Sequence, residues 1–308
     1  MRNLTVIVFF SLMLFASCHH KPKEVTDTPT SGKILLACAD NFQNLINAEI
    51  EAFNAHFPQA FVFPRYVTEK EAIKMLIDDS VRIAVTSRDL NAAECQKLKQ
   101  NQVIRKYLFA FEGIAIVTNN ANIDTVFSVS TLKKILLGKI TNWKQINPNS
   151  NLDTIMVLFD SQEASVLQYL VDSIVQSTEH LSSHVFATKS IDDLRDKIAA
   201  MPNAIGIVGL NQLGNENTKT YREFMAKTRF MWLAKNDTAK PALPYAGDLH
   251  NGDYPLWRPI YVLLGEIRNG LPKGFCFFLT QEVGQKVILK SGLMPISDPQ
   301  NTFIMMSE

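Results

Sequence analysis

The sequence has little of what nucleic-acid binding or metal binding needs. Its 308 residues include 31 basic and 30 acidic side chains, a formal net charge of +1, and only 4 cysteines. A near-neutral chain has no long-range attraction for DNA or for an anionic membrane surface. No cysteine and histidine cluster has metal-site spacing. We therefore expect no nucleic-acid partner, no metal and no other cofactor, so that any anion recognition must be local.

The apolar run at the N-terminus is short. Val6–Ala16 is apolar apart from one serine, but a membrane-spanning helix needs about 20 such residues. The following Phe15-Ala16-Ser17-Cys18 resembles a bacterial lipobox, in which the chain is cut before Cys18 and the thiol is acylated. We expect a signal peptide at 1–17 and a lipid-anchored flexible tether at 18–32, on a protein exported to face the periplasm. A transmembrane anchor is the alternative.

The cysteines beyond Cys18 are too few for a disulfide framework. Cys38, Cys95 and Cys276 are an odd number, which allows at most one intrachain disulfide. Cys38 and Cys276 lie within apolar runs, so we expect them to be buried as small hydrophobic residues.

Strand and helix patterns alternate along the rest of the chain. Strands are predicted at Lys33–Ala37, Ala60–Tyr66, Arg82–Thr86, Gly113–Val117, Thr154–Phe159, Ala204–Val208, Met231–Ala234 and Pro259–Leu264. Helices are predicted at Asn41–Phe57, Glu69–Asp78, Ala92–Asn101, Thr131–Leu137, Glu163–Val175, Ser190–Ala200, Gly274–Thr280 and Glu282–Lys290. Lys235–Asp253 is polar and predicts a loop or crossover. Such alternation favours mostly parallel sheets flanked by helices.

The alternating pattern restarts near the middle of the chain, which predicts two α/β lobes. We assign residues 33–115 plus 256–308 to the first lobe and 116–255 to the second, joined by extended segments near 115 and 255. A ligand cleft is expected between the lobes. This is the architecture of a two-lobed binding protein.

Five segments, in order along the chain, carry a resemblance to a known family. They are Val85-Thr86-Ser87-Arg88-Asp89-Leu90, Gly138-Lys139-Ile140-Thr141-Asn142-Trp143, Ala204-Ile205-Gly206-Ile207-Val208-Gly209, Tyr254-Pro255-Leu256 with Arg258 and Tyr261, and Ser291-Gly292-Leu293-Met294-Pro295. Together they resemble the phosphate-binding proteins of phosphate ABC transporters (PstS-like). The resemblance implies a type II periplasmic-binding-protein fold. In the second segment, we expect Gly138 to end a helix in the left-handed conformation and Trp143 to anchor the turn by packing.

The resemblance also implies a set of ligand-binding residues. The residues at matching positions are Asp40, Asn41, Phe42, Ser87, Arg88, Asp160 and Ser165. The family's Gly/Ser/Thr-rich turn after the first strand is replaced here by Ala39-Asp40-Asn41-Phe42. Asp160 stands about where the family has an arginine. These departures mean that the chemistry of the acidic positions cannot be inherited unchanged.

The predicted site residues suit anion binding for physical reasons. Ser87 and Ser165 lie at strand-to-helix turns, where free backbone N–H groups favour an anion, and Arg88 would offer a bidentate fork. Several acids near one anion would be repulsive. Either some of Asp40, Asp160 and Glu163 point away, or the ligand is not plain phosphate.

Five of the predicted site residues also have a structural interpretation. Asp40 and Asn41 are good helix caps, and Ser165 is suited to a first helical turn. Arg88 could form an ion pair with a nearby acid, and Phe42 could be a core residue.

The favoured function is a monomeric, lipid-anchored receptor that captures phosphate or a related oxyanion and delivers it to an ABC permease. The alternative is a PstS-like sensor or structural lipoprotein that no longer binds phosphate. An enzyme is not expected, because the sequence shows no nucleophile and base pair and no nucleophile elbow.

Overall fold

The computed structural model describes residues 27–100, 102–161, 165–176 and 180–297. Its strands are β1 Gly32–Ala39, β2 Ala60–Val67, β3 Ile83–Thr86, β4 Arg105–Asn119, β5 Val126–Ser128, β6 Met156–Phe159, β7 Val185–Ala187, β8 Ala204–Gly209, β9 Thr228–Phe230, β10 Trp232–Ala234, β11 Trp257–Leu264 and β12 Met294–Pro295. Its helices are α1 Gln43–His56, α2 Glu69–Ile77, α3 Ala92–Cys95, α4 Val129–Leu136, α5 Ser165–Leu170, α6 Ile191–Ala200, α7 Leu210–Leu213, α8 Lys219–Lys227, α9 Ala246–His250, α10 Leu271–Thr280 and α11 Glu282–Lys290. Short 3-10 turns lie at Asp40–Phe42 and Trp143–Gln145, and a π-helical turn at Val171–Val175 continues α5.

Side-chain caps start several of these helices. The hydroxyl oxygens of Thr68, Ser128, Ser190 and Thr218 each accept a hydrogen bond from the backbone N–H three residues later. Such a cap pairs one of the N–H groups that a helix leaves unsatisfied at its start. These caps therefore fix where α2, α4, α6 and α8 begin.

The sheet of the first lobe has the order β2-β1-β3-β11-β4. β1 is parallel to both β2 and β3, whereas β11 is antiparallel to β3 and β4. The carboxyl ends of β1 and β3 therefore meet the amino end of β11 at one edge of the sheet. This edge carries the turn Asp40–Phe42, Ser87 and Arg258.

The sheet of the second lobe has the order β4-β8-β6-β7. β6 is parallel to β7 and β8, so the carboxyl ends of β6 and β8 share an edge. β4 belongs to both lobes, because it pairs with β11 through Gly113 and with β8 from Ile114 onward. The Ile114 N–H donates to the Leu256 carbonyl at 2.9 Å. The two chain segments that pass between the lobes therefore lie side by side.

The apolar core follows the two sheets. One cluster of buried residues runs through both lobes, and a smaller one, which includes Ala37, Ile73 and Leu263, fills the other face of the first sheet. Trp143 is fully buried and donates from Nε1 to the Asn203 carbonyl at 2.9 Å, which confirms it as a packing residue. Gly138 has φ of 68° and ends α4 in the left-handed region, as predicted.

Two elements differ most from the predicted bounds. The helix predicted at Ala92–Asn101 ends at Cys95, because the following N–H groups of Lys97 and Leu98 bond only three residues back, to Glu94 and Cys95. The strand predicted at Gly113–Val117 instead runs from Arg105 to Asn119. Its first half contains charged residues that hide the strand pattern, and the backbone pairing with β11 holds it extended.

The polar segments contain elements that the apolar pattern does not predict. α8 and α9 each bury one side chain, Phe224 and Leu249, and β9 is only three residues long. α9 falls inside the loop predicted at Lys235–Asp253. Capping and pairing with β4 hold α8 and β9 in place.

Residues 27–32, which we assigned to the tether, are packed against the first lobe. The buried carboxylate of Asp27 accepts hydrogen bonds from Arg82, from Arg268 and from the Leu271 N–H. The packed part of the chain thus includes Asp27, before the predicted boundary at residue 33. The predicted signal peptide, Cys18 and Glu163 lie outside the described residues.

Cys38 and Cys276 are buried, as predicted, and Cys95 is exposed; all three are free thiols. Within the part of the chain that the structure describes, no helix combines the length and apolar character needed to cross a membrane.

Candidate functional site

A buried ion pair lies where the chain passes between the lobes. Arg258 on β11 and Glu112 on β4 occupy directly paired positions, and neither side chain is exposed to solvent. Arg258 Nε donates to Glu112 Oε2 at 2.7 Å, and Nη2 lies 2.6 Å from the same oxygen. Burial of both charges is tolerated because each neutralises the other. The pair leaves Arg258 Nη1 directed to other partners.

Arg258 brings together three of the predicted site residues. Its Nη1 donates to Ser165 Oγ at 2.8 Å and lies 3.4 Å from Ser87 Oγ. Its guanidinium stands over the Phe42 ring, 5.2 Å from the centroid, in a cation–π arrangement. Ser87 follows β3 of the first lobe and Ser165 begins α5 of the second. One guanidinium therefore joins hydroxyls from opposite sides of the interlobe cleft.

The direction of these hydrogen bonds determines what the hydroxyls can offer a ligand. A guanidinium has donors only, so Ser165 Oγ accepts from Arg258 and its own proton points elsewhere. Ser87 donates both its backbone N–H and its hydroxyl to Glu69 Oε1, the latter at 2.8 Å. Ser165 is thus a hydroxyl donor backed by a positive charge, while the donors of Ser87 are held by an internal carboxylate.

Arg88 is paired within its own lobe. We predicted that its fork would hold an oxyanion, but Nη1 and Nη2 donate to the two carboxylate oxygens of Glu94 at 2.7 and 2.9 Å. Nε lies 3.7 Å from Glu69 Oε2. Hydrogen bonding to Glu94 raises the pKa of Arg88, and the same bonds lower the pKa of Glu94. The fork that we assigned to a ligand therefore holds a carboxylate of the protein.

Asp40, Asn41 and Asp160 lie together on the other side of Ser165, in the wall of one cavity. Asp160 accepts a hydrogen bond from Gln212 Nε2 at 2.5 Å. The backbone carbonyl of Asn41 accepts from the side-chain amide of Asn211. The 3-10 turn of the first lobe is thereby tied to the segment after β8 of the second.

Three neighbouring cavities share Ser165 in their walls. The cavity beside Arg88 and Glu94 has a volume of about 740 Å³, and the one beside Ser87 and Tyr169 about 240 Å³. The cavity beside Asn41 has about 410 Å³. Ser165 is thus the point at which the parts of the interlobe cleft meet. Among the described residues, no group of three or more histidine, cysteine or acidic side chains is placed to hold a metal ion.

Residues 23–283 match the family model described as the PBP superfamily domain. The chain belongs to the PBP superfamily. A Bacillus subtilis (strain 168) protein named phosphate-binding protein PstS is 23% identical over 275 residues, which cover 88% of this chain and 83% of that protein.

Solved structures agree with the fold of this PBP superfamily member. A Clostridium perfringens protein whose crystal structure contains bound phosphate matches with a TM-score of 0.69 at 19% identity, covering 86% of this chain and all of that one. An ABC-type phosphate transport receptor from Vibrio cholerae matches with a TM-score of 0.65 at 21% identity, covering 85% and 99% of the two chains. These likenesses confirm the predicted two-lobed α/β fold of type II.

Sequence reasoning gave no ligand-site role to four residues of this PBP superfamily site. Arg258 stands inside a quoted motif and Glu69 at the start of a predicted helix, whereas Glu112 and Gln212 were not considered. The available signal was Arg258 itself, a charged residue at the start of an apolar strand, which requires a buried partner. Its partner Glu112 is 146 residues away in sequence, so the pairing emerges only from the register of β4 and β11.

Proposed function

We propose that this PBP superfamily member is the solute-binding receptor of an ABC transporter and that it binds phosphate or a related oxyanion between its lobes. The observation that carries the proposal is the convergence of Ser87 and Ser165, from opposite lobes, on the buried guanidinium of Arg258. Two similar proteins, one named a phosphate-binding protein and the other an ABC-type phosphate transport receptor, support the same function.

The anion would be held by dipoles and hydroxyl donors more than by net charge. Glu112 already balances the charge of Arg258, so the guanidinium acts by polarising Ser165 toward the ligand. Hydrogen bonds to an ionised group are roughly twice as strong as neutral ones. Closure of the two lobes around the anion would add contacts from the lobe on the opposite side of the cleft.

Glu69 would give selectivity among oxyanions. Its carboxylate accepts a hydrogen bond from the Ser87 hydroxyl. It can also accept a hydrogen bond from a protonated phosphate oxygen. Sulfate has no proton to donate at neutral pH and would be repelled. An acidic group at the cleft is therefore compatible with phosphate and unfavourable for sulfate.

Calorimetric titration of the purified protein with phosphate, sulfate and acetate tests this function. We expect phosphate to bind with a Kd of about 1 μM or tighter, which corresponds to about −8 kcal/mol, and sulfate and acetate to bind at least tenfold more weakly. Absence of heat with all three anions would contradict the receptor function.

A second candidate is a sensor or structural lipoprotein of the same fold that no longer binds phosphate. The pairing of Arg88 with Glu94 and of the Ser87 donors with Glu69 favours it, because these donors are already satisfied inside the protein. A stably folded protein that gives no heat with any oxyanion would support this candidate. For either function we expect no phosphomonoesterase activity.

The cellular arrangement is also a proposal. We infer that residues 1–17 are removed, that Cys18 is lipid-anchored, and that the monomeric receptor faces the periplasm, where it meets its permease. Membrane fractionation of cells that express the wild type and Cys18→Ala tests the anchor. The wild type is expected in the membrane fraction and the variant in the soluble fraction. The same distribution of both proteins between the two fractions would contradict acylation.

We further propose the lobe boundaries given by the sequence, 33–115 plus 256–308 and 116–255, with the first lobe extended at its start to Asp27, which is packed against it. The switch of β4 from β11 to β8 after Gly113 supports a hinge at this position.

A further inference from the structure

Helix α5 of the second lobe contacts the first lobe at two consecutive residues of β11. Ser165 Oγ accepts a hydrogen bond from Arg258 Nη1 at 2.8 Å, and the Tyr169 hydroxyl donates to the Trp257 carbonyl at 2.6 Å. Side chains four residues apart lie on the same face of a helix, one turn from each other. One face of α5 is therefore held at two points to one strand of the other lobe.

The Tyr169 hydroxyl has no proton left for a ligand. A phenol has a single proton to donate, and the Trp257 carbonyl can only accept it. Ser173, in the π-helical turn that continues α5, also hydrogen-bonds this hydroxyl, and it must act as the donor. Burial raises the pKa of Tyr169, so the hydroxyl keeps its proton at neutral pH.

Tyr169 nevertheless lies in the wall of the cleft. It lines the cavity of about 240 Å³ together with Ser87 and Ser165. Because the oxygens of a bound anion are acceptors, a hydroxyl whose proton is already engaged offers the anion no favourable contact. Tyr169 is therefore suited to shaping the site and not to binding the anion directly.

The contribution of Ser165 depends on where α5 lies. Its oxygen accepts from Arg258 while its proton is left for the ligand, so both interactions require the serine in one position. A hydrogen bond weakens steeply beyond its usual length of about 3 Å, and a shift of α5 away from β11 by roughly 1 Å would break the bond to Arg258. The second attachment, from Tyr169 to Trp257, opposes this shift.

We propose that Tyr169 is a positioning residue for anion binding, whose hydrogen bond to the Trp257 carbonyl holds α5 on β11 and thereby holds the Ser165 hydroxyl at the anion. This assignment rests on the proposed oxyanion-binding function and adds a residue to its site. The carbonyl is a firm attachment point, because Trp257 is paired with Gly113 of β4 at the start of β11.

Calorimetric titration of phosphate into the wild type, Tyr169→Phe, Ser165→Ala and the double variant tests the assignment. Tyr169→Phe removes the hydroxyl and keeps the ring. We expect it to lower the phosphate affinity about threefold to tenfold, the range for one neutral hydrogen bond. In the Ser165→Ala background the same change should alter the affinity by less than about twofold, because Tyr169 acts through Ser165.

Tyr221→Phe is the matched control. Its hydroxyl is hydrogen-bonded to Tyr245 of the same lobe, and it lines none of the three cavities that share Ser165. We expect this variant to bind phosphate as the wild type does, and urea unfolding confirms that each variant is folded.

Three outcomes would overturn the proposal. Wild-type affinity in folded Tyr169→Phe, or the same loss of affinity with and without the Ser165 hydroxyl, would overturn the positioning assignment and leave the receptor function intact. A wild type that gives no heat with phosphate would overturn both this assignment and the phosphate-binding function.

Discussion

Glu112 and Arg258 lie at directly paired positions of β4 and β11, and their fully buried side chains form an ion pair with separations of 2.6 and 2.7 Å. The backbone of β4 continues from this pair into the second lobe, and the guanidinium contacts a serine of each lobe. The pair is therefore both a structural element of the interlobe connection and the support of the proposed anion site.

Loss of either partner of this pair should destabilise the protein strongly. Arg258→Ala leaves the Glu112 carboxylate buried without its counter-ion, and such a change costs about 3–5 kcal/mol. The free energy of unfolding, measured by urea titration, should fall by this amount for Arg258→Ala and for Glu112→Ala. Lys286→Ala, which breaks an exposed ion pair with Glu282, is the control and should change it by less than about 1 kcal/mol. An equal loss of unfolding free energy on breaking either ion pair would contradict the burial of the Glu112–Arg258 pair.

Gly209 should not tolerate a side chain. An alanine Cβ there would lie 2.3 Å from Glu112 Oε1 and 2.8 Å from its Cδ, so the carboxylate would have to move away from Arg258. We expect Gly209→Ala to lower the free energy of unfolding by about 1–3 kcal/mol. In Gly247→Ala, on α9, the added Cβ meets no atom within 4 Å, and this variant should be as stable as the wild type or slightly more so. An unchanged free energy of unfolding in Gly209→Ala would show that the Glu112 side chain is free to shift.

Glu49 should make stability depend on pH. Both carboxylate oxygens are buried with no hydrogen bond to the described residues, and burial raises the pKa from 4.5 to about 9. Below pH 4.5 the folded and unfolded states are both protonated, so no penalty exists. As the pH rises toward 9 only the unfolded state ionises, and the free energy of unfolding falls by up to about 1.4 kcal/mol per pH unit.

Glu49→Gln removes this ionisation and should therefore be more stable than the wild type at pH 8 and similar to it at pH 4. Glu51→Gln, an exposed position on the same helix, is the control and should show little difference at either pH. Chemical unfolding at both pH values measures the effect. A difference between Glu49→Gln and the wild type that does not grow with pH would contradict the buried, protonated state.

Trp257 should report ligand binding by fluorescence. Its ring packs edge-on against Phe111 with centroids 5.1 Å apart, and its carbonyl accepts a hydrogen bond from Tyr169 of the second lobe at 2.6 Å. Movement between the lobes therefore changes the surroundings of Trp257. We expect the phosphate-dependent change in emission to be lost in Trp257→Phe and kept in Trp232→Phe, whose tryptophan is similarly exposed (41% against 37%). Loss of the emission change in Trp232→Phe, with the change kept in Trp257→Phe, would contradict a movement at Trp257.

Much of the fold was predictable because its strands are apolar and its helices carry regular apolar stripes. β1, α1, β2, α2 and β3 were predicted in order and nearly in extent. β4 was predicted at about a third of its length, since Arg105, Lys106 and Glu112 interrupt the apolar pattern. The strand holds these charges at its exposed end or, for Glu112, against Arg258. Pairing with a distant strand supplies the stability that the local sequence does not indicate.

The candidate site was predictable only in part. The family resemblance gave Phe42, Ser87 and Ser165, and the structure brings all three to one guanidinium. It also gave Arg88, whose fork holds Glu94 six residues away. A local ion pair of this kind competes with ligand binding, and the residue type alone does not reveal which partner wins. Arg258 has its role because of β-sheet register, which depends on residues far apart in sequence.

Phosphate titration of Ser165→Ala beside Arg88→Ala tests most directly whether the serines joined by Arg258 form the anion site. The hydroxyl of Ser165 would donate to a charged ligand, and such a bond contributes about 1.5–3 kcal/mol. We therefore predict at least about a tenfold loss of phosphate affinity in Ser165→Ala and less than about a threefold loss in Arg88→Ala, since Glu94 already holds the Arg88 fork. Wild-type affinity in Ser165→Ala together with abolished binding in Arg88→Ala would contradict the account.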